Sequence, residues 1–413
     1  MNTETLHTKT EKQLVPQLRF AEFEENWETS LFDDLVFIVN GQVDPKIEPY
    51  CHYPHIGPGN MSSMTGELLA YRTAKEDQQT SGKYLFNEDH VLYGKINPQL
   101  GKVVFPKFIG VCSADTYPIE CKKQKLTPYF LKCLLMENRF YKYSVSVSRR
   151  TGMPKINREE LSAFRFRYPT LPEQQKIASF LSSVDTKLQQ LTQKKELLVQ
   201  YKKGVMQQLF SQQLRFKQKD GSDYPDWEEK KLGEVAERMI LKNTDNQITF
   251  VLTNSAIQGI VSQQDYFDKD IANQSNLQGY YIVSKDDFVY NPRISTSAPV
   301  GPIKRNKLQK GVMSPLYSIF RFNEPLLEYF EHYFETTNWH KYLHSVANFG
   351  ARHDRMNITN SDFYKMPIPM PCFEEREQIA NYLSGLDTKI ETLAQQITQT
   401  QQFKKGLLQQ MFV

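Results

Sequence analysis

Apolar residues recur at alternating steps of four and three in two long segments of this chain. Such steps place apolar side chains along one stripe of an α-helix and are typical of a coiled-coil seam. We therefore predict two long helices, over residues 171–213 and 371–413, that pack through their seams. The predicted seam residues are Ile177, Leu181, Val184, Leu188, Leu191 and Leu198 in the first helix and Ile379, Leu383, Leu386, Ile390, Leu393 and Ile397 in the second.

The two helical segments are copies of one sequence. Residues 171–211 align without gaps to residues 373–413, and 17 of the 41 positions are identical. The shared Asp-Thr-Lys and Lys-Lys-Gly triplets are not required by a heptad pattern. A duplication therefore explains the match better than generic coiled-coil similarity does.

The duplication extends upstream of the helices. Leu18-Arg19-Phe20 followed by Trp27 resembles Leu214-Arg215-Phe216 followed by Trp227. We therefore predict a flexible tail over residues 1–14 and two copies of one module. Each copy is a globular domain followed by a long helix, and the predicted domains cover residues 15–170 and 214–370.

The globular copies combine short runs of β character with a helical stretch ahead of each long helix, which predicts a mixed α/β domain. The sequence leaves the sheet topology open. The runs of β character are Leu31–Val39, His90–Lys95, Lys102–Phe108, Ile248–Leu252, Tyr280–Val283, Phe288–Tyr290 and Ser318–Phe322. The helical stretches are Pro128–Tyr143 and Leu326–His344.

The long helices pair most simply by running antiparallel, which would give the molecule pseudo-two-fold symmetry. A helix over residues 172–210 would be about 58 Å long. That length exceeds one turn of DNA, which is about 34 Å. The pair is therefore suited to hold two DNA-reading domains apart.

Two features of the helices have alternative explanations. Lys202, Lys203, Lys404 and Lys405 near the C-terminal ends suit the negative end of the helix macrodipole, and DNA contact is the alternative. Gly204 and Gly406 lie within the helical pattern at a cost of about 1 kcal/mol each. Close approach of the two helices is the explanation that we favour for these glycines, and a kink is the alternative.

Composition narrows the class of protein. The five cysteines include no CxxC pair, which argues against a disulfide framework or a zinc ribbon and favours the reducing cytoplasm. No apolar run approaches the roughly 20 residues of a membrane span. The net charge of +4 permits nucleic-acid binding without requiring it.

Candidate DNA-facing segments are loops that mix basic residues with asparagine and aromatic residues. Arg and Lys bind phosphate or guanine, and Asn reads adenine. A solvated loop or a salt bridge is the alternative for any single residue. The candidates are Tyr93, Lys95, Asn97, Arg149, Arg150, Lys155 and Asn157 in the first copy and Tyr290, Arg293, Lys304, Arg305, Arg352, Arg355 and Asn357 in the second.

Motifs for catalysis are missing. Asn97-Pro98-Gln99-Leu100 and Asn291-Pro292-Arg293-Ile294 lack the second proline and the aromatic residue of an adenine-methyltransferase tetrad. There is no GxxxxGK[ST] phosphate loop. Cys51, His52 and His55 have no second pair of ligands, so we assign neither a catalytic nor a metal site.

The two-copy plan, the Leu-Arg-Phe…Trp openings and the start and end of each long helix resemble the specificity subunit of type I restriction–modification systems. The helix start reads Glu173-Gln-Gln-Lys-Ile177, and the end reads Lys202-Lys203-Gly204 followed by Gln207-Gln208-Leu-Phe210. The second copy departs slightly, with Glu375-Arg-Glu-Gln-Ile379 at its start. The resemblance covers roughly residues 15–413.

This resemblance implies a host-defence protein without catalytic activity of its own. Each globular domain would be a target recognition domain that reads one half of a bipartite double-stranded DNA sequence. The helix pair would set the spacer and bind two modification (methyltransferase) subunits, which restriction (translocase and nuclease) subunits would join. S-adenosylmethionine, ATP and Mg²⁺ would belong to those partners. Two alternatives remain open: a self-contained DNA methyltransferase or nuclease, and a coiled-coil adaptor that does not read DNA.

Overall fold

A computed structural model describes residues 15–149, 152–266, 277–348 and 354–412. The chain forms two compact units, and each unit contains one globular copy. The first unit takes residues up to Gln193 together with Ala394–Val413, and the second takes Lys194–Leu393. This division differs from the predicted one because it cuts both long helices near their middles. Each unit therefore contains the first half of one long helix and the second half of the other.

The first globular copy is a mixed α/β domain that leads into a long helix. Its strands are β1 (Glu28–Leu31), β2 (Val36–Ile38), β3 (Pro54–Ile56), β4 (Arg72–Thr73), β5 (Tyr84–Phe86), β6 (Val91–Gly94), β7 (Val103–Val104), β8 (Gly110–Cys112), β9 (Thr116–Cys121) and β10 (Arg165–Tyr168). Its helices are α1 (Phe32–Leu35), α2 (Pro128–Met136), α3 (Asn138–Val147) and α4 (Arg158–Ser162), and the long helix is α5 (Leu171–Phe210).

The second copy repeats this order. Its strands are β11 (Glu228–Lys231), β12 (Ala236–Met239), β13 (Leu252–Ser255), β14 (Gly259–Ser262), β15 (Tyr281–Val283), β16 (Phe288–Tyr290), β17 (Ile303–Arg305), β18 (Gly311–Met313), β19 (Ser318–Phe322) and β20 (Pro367–Met370). Its helices are α6 (Leu232–Val235), α7 (Gln263–Tyr266), α8 (Leu327–Glu335), α9 (His340–Val346) and α10 (Asn360–Tyr364), and the long helix is α11 (Phe373–Gln410).

The two copies share their central sheet. In the first copy the strand order is β2-β9-β6-β7, and in the second it is β12-β19-β16-β17. All pairs in both sheets are antiparallel. A two-stranded ribbon, β1 with β10 or β11 with β20, joins the start of each copy to the strand just before its long helix. The duplication seen in the sequence is therefore also a duplication of topology.

The main core of each unit combines one face of its globular domain with segments of both long helices. In the first unit, Ile177, Leu181 and Val184 of α5 lie in one apolar cluster with Leu407 and Leu408 of α11. In the second unit, Val205 and Leu209 of α5 lie in one cluster with Ile379, Leu383 and Leu386 of α11. The globular domains therefore depend on both long helices for a closed core.

Several predicted elements are interrupted. The run Leu31–Val39 is broken by α1, whose Phe32 and Leu35 are fully buried. The stretch Pro128–Tyr143 divides at Glu137, whose carboxylate accepts hydrogen bonds from the backbone N–H groups of Arg139 and Phe140 and caps α3. The stretch Leu326–His344 divides between α8 and α9. Periodicity alone does not reveal such breaks, because the apolar spacing continues across them.

Gly204 and Gly406 are not positions of close helix contact. A Cβ atom added at either glycine would meet nothing within 4 Å. The explanation by close approach is therefore wrong, and the kink stays a prediction. Among the residues that the structure describes, none of the helices combines the length and apolar character that crossing a membrane requires.

Candidate nucleic-acid interface

The first copy brings two of its predicted DNA-facing loops together. Ile96, just after β6, forms an antiparallel bridge with Lys155, just before α4. The Asn97 N–H donates to the Pro154 carbonyl at 2.8 Å, and the Ile156 N–H donates to the Lys95 carbonyl at 3.0 Å. Lys95, Asn97 and Lys155 therefore lie on one ridge, which we call the first basic ridge.

The second copy builds a ridge in the same way. Arg293, just after β16, forms an antiparallel bridge with Arg355. The Met356 N–H donates to the Pro292 carbonyl at 2.9 Å, and the Ile294 N–H donates to the Asp354 carbonyl at 3.0 Å. We call Arg293 and Arg355 the second basic ridge.

Local chemistry explains the shape of the first basic ridge. Asn97 has a φ of +50° and starts a 3-10 turn over Pro98–Leu100. Asparagine tolerates this left-handed conformation better than most residues. Asn157 caps α4, because its side-chain oxygen accepts from the Glu160 N–H at 2.8 Å while the Glu160 carboxylate accepts from the Asn157 N–H at 2.7 Å. Asn157 therefore uses its side-chain oxygen within the fold, and its role as a reader of adenine stays a prediction.

The ridges present positive charge to solvent. Lys155 and Arg293 are exposed, and Lys95 and Arg355 are partly exposed. The Lys95 ammonium lies 5.2 Å from the centre of the Tyr117 ring, and the Arg158 guanidinium lies 5.1 Å from it. The Tyr117 ring therefore contacts two cations, Lys95 and Arg158, at the first basic ridge.

The two candidate tyrosines belong to the core, which corrects their prediction. Tyr93 is 2% exposed and packs edge-on against Phe140, and Tyr290 is 2% exposed and stacks on Phe363. The Tyr290 hydroxyl donates to the Val300 carbonyl at 2.9 Å. Burial raises the pKa of both phenols well above the ordinary value. These rings support the ridges from below and do not reach solvent.

The basic turn at residues 304–307 is separate from the second basic ridge. Arg305 lies opposite Phe288 in the strand register, whereas the chain reaches Arg293 beyond the other end of β16. The Arg305 guanidinium contacts Asp286 at 2.6 Å, Glu328 at 2.7 Å and Glu331 at 3.6 Å. Acidic side chains therefore already neutralise Arg305, and its role as a DNA contact stays a prediction. Lys304 is partly exposed on the same strand.

The remaining candidates have no shared site in the described structure. Arg149 is exposed, and Asn357 is exposed and bridged through its backbone to Asn348. Arg150 and Arg352 lie outside the described residues.

The predicted seam residues are buried or partly buried along both long helices. The helices run antiparallel, because Asp185 contacts Lys404 at 2.6 Å whereas Lys202 contacts Asp387 at 2.7 Å. These two ion pairs are equivalent under the repeat. Lys202 and Lys404 are 8% and 7% exposed, so neither the macrodipole nor DNA contact explains them. Lys203 and Lys405 are exposed, and both readings stay open for them.

The charge around each ion pair differs between the units. Asp185 also accepts from Lys132 at 2.9 Å and from the Tyr129 hydroxyl at 2.7 Å. Burial would raise the pKa of Asp185, but Lys132 and Lys404 outweigh it and lower that pKa. In the second unit, Lys202 instead meets a second carboxylate, Glu335, at 2.8 Å. The same lysine–aspartate pair thus lies beside one extra cation in the first unit and one extra carboxylate in the second.

Sequence reasoning missed a buried anchor at the start of each long helix. The Arg19 guanidinium donates to both Glu173 oxygens, at 2.8 and 2.7 Å, and the Trp27 indole N–H donates to the same carboxylate at 3.3 Å. Arg215 donates to both Glu375 oxygens, at 3.1 and 2.8 Å, and the Trp227 indole N–H donates to the same carboxylate at 2.9 Å. The signal was present in the sequence, because the Arg, the Trp and the Glu all recur in both copies.

One group of ligand-type residues lies away from the ridges. The side-chain ligand atoms of Glu48, Cys51 and His52 lie within 4.8 Å of one another. Cys51 is buried, whereas the side chains of Glu48 and His52 are 80% and 57% exposed. His55 instead contacts Asp77 at 3.0 Å. The residues that lie together are therefore Glu48, Cys51 and His52, whereas the sequence suggested Cys51, His52 and His55.

Known proteins resemble this chain in sequence and in fold. The family described as type I restriction modification DNA specificity domain matches residues 24–200 and 224–402. The EcoDI specificity subunit of Escherichia coli is 35% identical over 173 residues, which are 40% of this chain and 37% of that protein. The MjaVIII specificity subunit of Methanocaldococcus jannaschii is 23% identical over 407 residues, 93% of this chain and 91% of that protein.

A solved structure shows the likeness in fold. The S subunit of a type I restriction-modification system from M. genitalium superposes with a TM-score of 0.55 at 14% identity, covering 97% of this chain and 99% of that one. The family matches both copies and most of the chain, which confirms the resemblance carried by the helix motifs. The chain therefore belongs to the type I restriction modification DNA specificity domain family and carries two copies of that domain.

Proposed function

We propose that this chain is the DNA-reading specificity subunit of a type I restriction–modification complex and is not itself catalytic. Each globular domain reads one half of a bipartite double-stranded target, and the long helices set the distance between the halves. The main support for this proposal is the presence of a basic ridge in each copy. The same strand-to-loop construction holds Lys95 and Lys155 in one copy and Arg293 and Arg355 in the other.

The difference between the ridges supports the reading of two different half-sites. Lysine is a compact charge that serves phosphate, whereas the arginine fork also binds guanine through two hydrogen bonds. Both copies keep the same backbone arrangement of strand and loop, whereas the side chains on it differ. A reader of two unlike sequences requires that combination.

The partners follow from the same proposal. Two methyltransferase subunits dock on the long helices, and restriction subunits join them. S-adenosylmethionine, ATP and Mg²⁺ are bound by those subunits, and the whole complex works on DNA in the cytoplasm. The exposed apolar side chains of Leu197, Tyr201 and Phe403, at 58%, 52% and 54%, provide helix surface for such docking.

Replacement of ridge cations tests the proposal. We expect Lys155→Ala and Arg355→Ala each to weaken DNA binding by about threefold to tenfold at moderate salt and to reduce the slope of log affinity against log salt by about one. Fluorescence anisotropy with duplex DNA at several salt concentrations measures both quantities.

Lys307→Ala is the matched control, because Lys307 contacts Glu331 at 2.6 Å in the separate basic turn. Its affinity and salt slope should equal those of the parent chain. Equal losses in all three variants would indicate general electrostatic attraction, and no loss in the ridge variants would remove the ridges from the DNA interface.

A further inference from the structure

A β-hairpin of the second copy exposes an apolar side chain, Ile257, and an amide side chain, Gln258, at its tip. Strands β13 and β14 pair with Asn254 opposite Ile260 and Ser255 opposite Gly259. The tip between them is Ala256-Ile257-Gln258. Ile257 is 84% exposed, more than any other large apolar side chain among the described residues.

Hydrogen bonds attach this hairpin to the second basic ridge. The Asn254 side-chain amide is 3% exposed and donates to the Val289 carbonyl of β16 at 2.8 Å. The Asn254 carbonyl accepts from the Asn291 side-chain amide at 3.0 Å, and the Asn291 side-chain oxygen accepts from the Arg293 N–H at 3.0 Å. Ile257 follows Asn254 by three residues, about 10 Å of extended chain. The tip and Arg293 are therefore held by one network.

Hydrogen bonds within the hairpin define the backbone conformation of the tip. The Ser255 hydroxyl oxygen accepts from the Gln258 N–H at 3.2 Å and from the Ile257 N–H at 3.4 Å. Gly259 has a φ of +74°, a conformation that glycine adopts without strain. The Gln258 side chain makes no hydrogen bond to any residue that the structure describes. The tip therefore exposes an apolar side chain next to an amide side chain that has no hydrogen bond to any described residue.

An apolar side chain next to an amide side chain can recognise the edge of an A·T base pair. The major groove of B-DNA admits a two-stranded β-ribbon. A glutamine side chain can form two hydrogen bonds with adenine there, and an apolar side chain packs on the methyl group of thymine. We infer that the Ile257-Gln258 tip enters the major groove and reads adenine and thymine in the half-site bound by the second copy.

In the first copy the turn that follows β3, Gly57–Asn60, is built differently. The Asn60 side-chain oxygen accepts from the Gly57 N–H at 2.9 Å, and its amide donates to the Ala70 carbonyl at 2.8 Å. Asn60 is therefore occupied within the fold. The tip affects only one half-site.

The test uses the full chain co-expressed with its methyltransferase subunits in a host without adenine methylation, followed by long-read methylome sequencing. We expect Gln258→Ala to reduce discrimination at one base pair of one half-site by about tenfold. Ile257→Ala should relax preference for thymine at the same or the neighbouring base pair. The other half-site and the spacer should be unchanged, which also shows that the variant is folded.

Leu308→Ala and Gln309→Ala are the matched controls, because this second exposed pair lies on the turn beyond Arg305, at the end of the sheet away from Arg293. They should leave the motif intact. The inference rests on the proposed function, and the outcomes separate the two. An unchanged motif in both tip variants overturns the inference and leaves the proposed function standing, whereas the absence of any motif with the parent chain overturns the proposed function.

Discussion

At the scale of single residues, the most informative group is the carboxylate at the start of each long helix. Glu173 and Glu375 are 1% and 0% exposed, and each accepts hydrogen bonds from an arginine and a tryptophan. A carboxylate buried so deeply persists only when it is paired. The sequence revealed that these residues are repeated, but their partners lie about 150 residues away along the chain and could not be assigned without the fold.

Removal of this carboxylate is expected to destabilise the second unit. Glu375→Ala leaves the Arg215 guanidinium and the Trp227 indole N–H without their acceptor, at a cost of about 3 kcal/mol. Urea denaturation followed by tryptophan fluorescence measures the free energy of unfolding. The neighbouring Glu374 is exposed, so Glu374→Ala should change it by less than about 0.5 kcal/mol. Equal effects of the two substitutions would contradict the anchor.

The carboxylate of Glu335 makes the second unit sensitive to acid. Burial would raise its pKa, but the adjacent His332 imidazole and the Lys202 ammonium outweigh burial and lower the pKa from about 4.5 to about 2. Asp387 faces the same lysine. Because the pKa in the folded state is the lower one, the stabilisation is present above about pH 4.5 and is lost as the pH falls toward 2.

We therefore expect the free energy of unfolding of the parent chain to fall by about 2 kcal/mol more than that of Glu335→Gln between pH 5 and pH 2. Urea titrations at a series of pH values provide the comparison. Parallel pH profiles for the two proteins would show that Glu335 carries no such linkage.

At the scale of elements, periodicity predicted the long helices well and the globular domains less completely. The seam from Ile177 to Leu198 is a repeated signal over many turns, so its burial follows from spacing alone. The short element α1 could not be predicted, because four residues within an apolar run carry no period of their own. Glu137 likewise ends α2 and starts α3 through a capping geometry that spacing does not encode.

Glycine within α5 leads to a prediction of increased stability. A methyl group at Gly204 meets no atom within 4 Å, so Gly204→Ala should stabilise the isolated chain by up to about 1 kcal/mol through helix propensity. Gly301→Ala is the contrasting variant, since Gly301 has a φ of +80° and its added Cβ would lie 2.0 Å from the Asn291 carbonyl oxygen. Thermal unfolding monitored by circular dichroism distinguishes them, and destabilisation by Gly204→Ala would mean that the glycine has a structural role.

At the scale of the whole molecule, the chain crosses between units twice, once along each long helix. The sequence predicted whole helices attached to whole domains, whereas each core uses the first half of one helix and the second half of the other. This division follows from antiparallel pairing of two copied helices, in which residue 185 meets residue 404 and residue 202 meets residue 387. The apolar spacing predicted the seam between the helices. It did not predict which segment of each helix joins which core, because that depends on packing against the globular domains.

Lengthening the helices should change the spacer alone. We propose inserting seven residues after Thr192 and seven after Gln396, which keeps the heptad phase and the opposed positions in both helices. Seven residues add about 10 Å of helix, close to three base pairs of DNA at about 3.4 Å each. Methylome sequencing should show unchanged half-sites with a spacer about three base pairs longer. An unchanged spacer in an active variant would contradict the role of the helices as a ruler.

We propose that this chain supplies the DNA specificity of its complex through two separately read half-sites. The most direct measurement is the methylome of a host without adenine methylation that expresses the methyltransferase subunits with or without this chain. We expect methylated adenines only when the chain is present, within one motif of two defined parts separated by a gap of fixed length and free sequence. The same motif without the chain, or a single uninterrupted motif with it, would rule out this role for the chain.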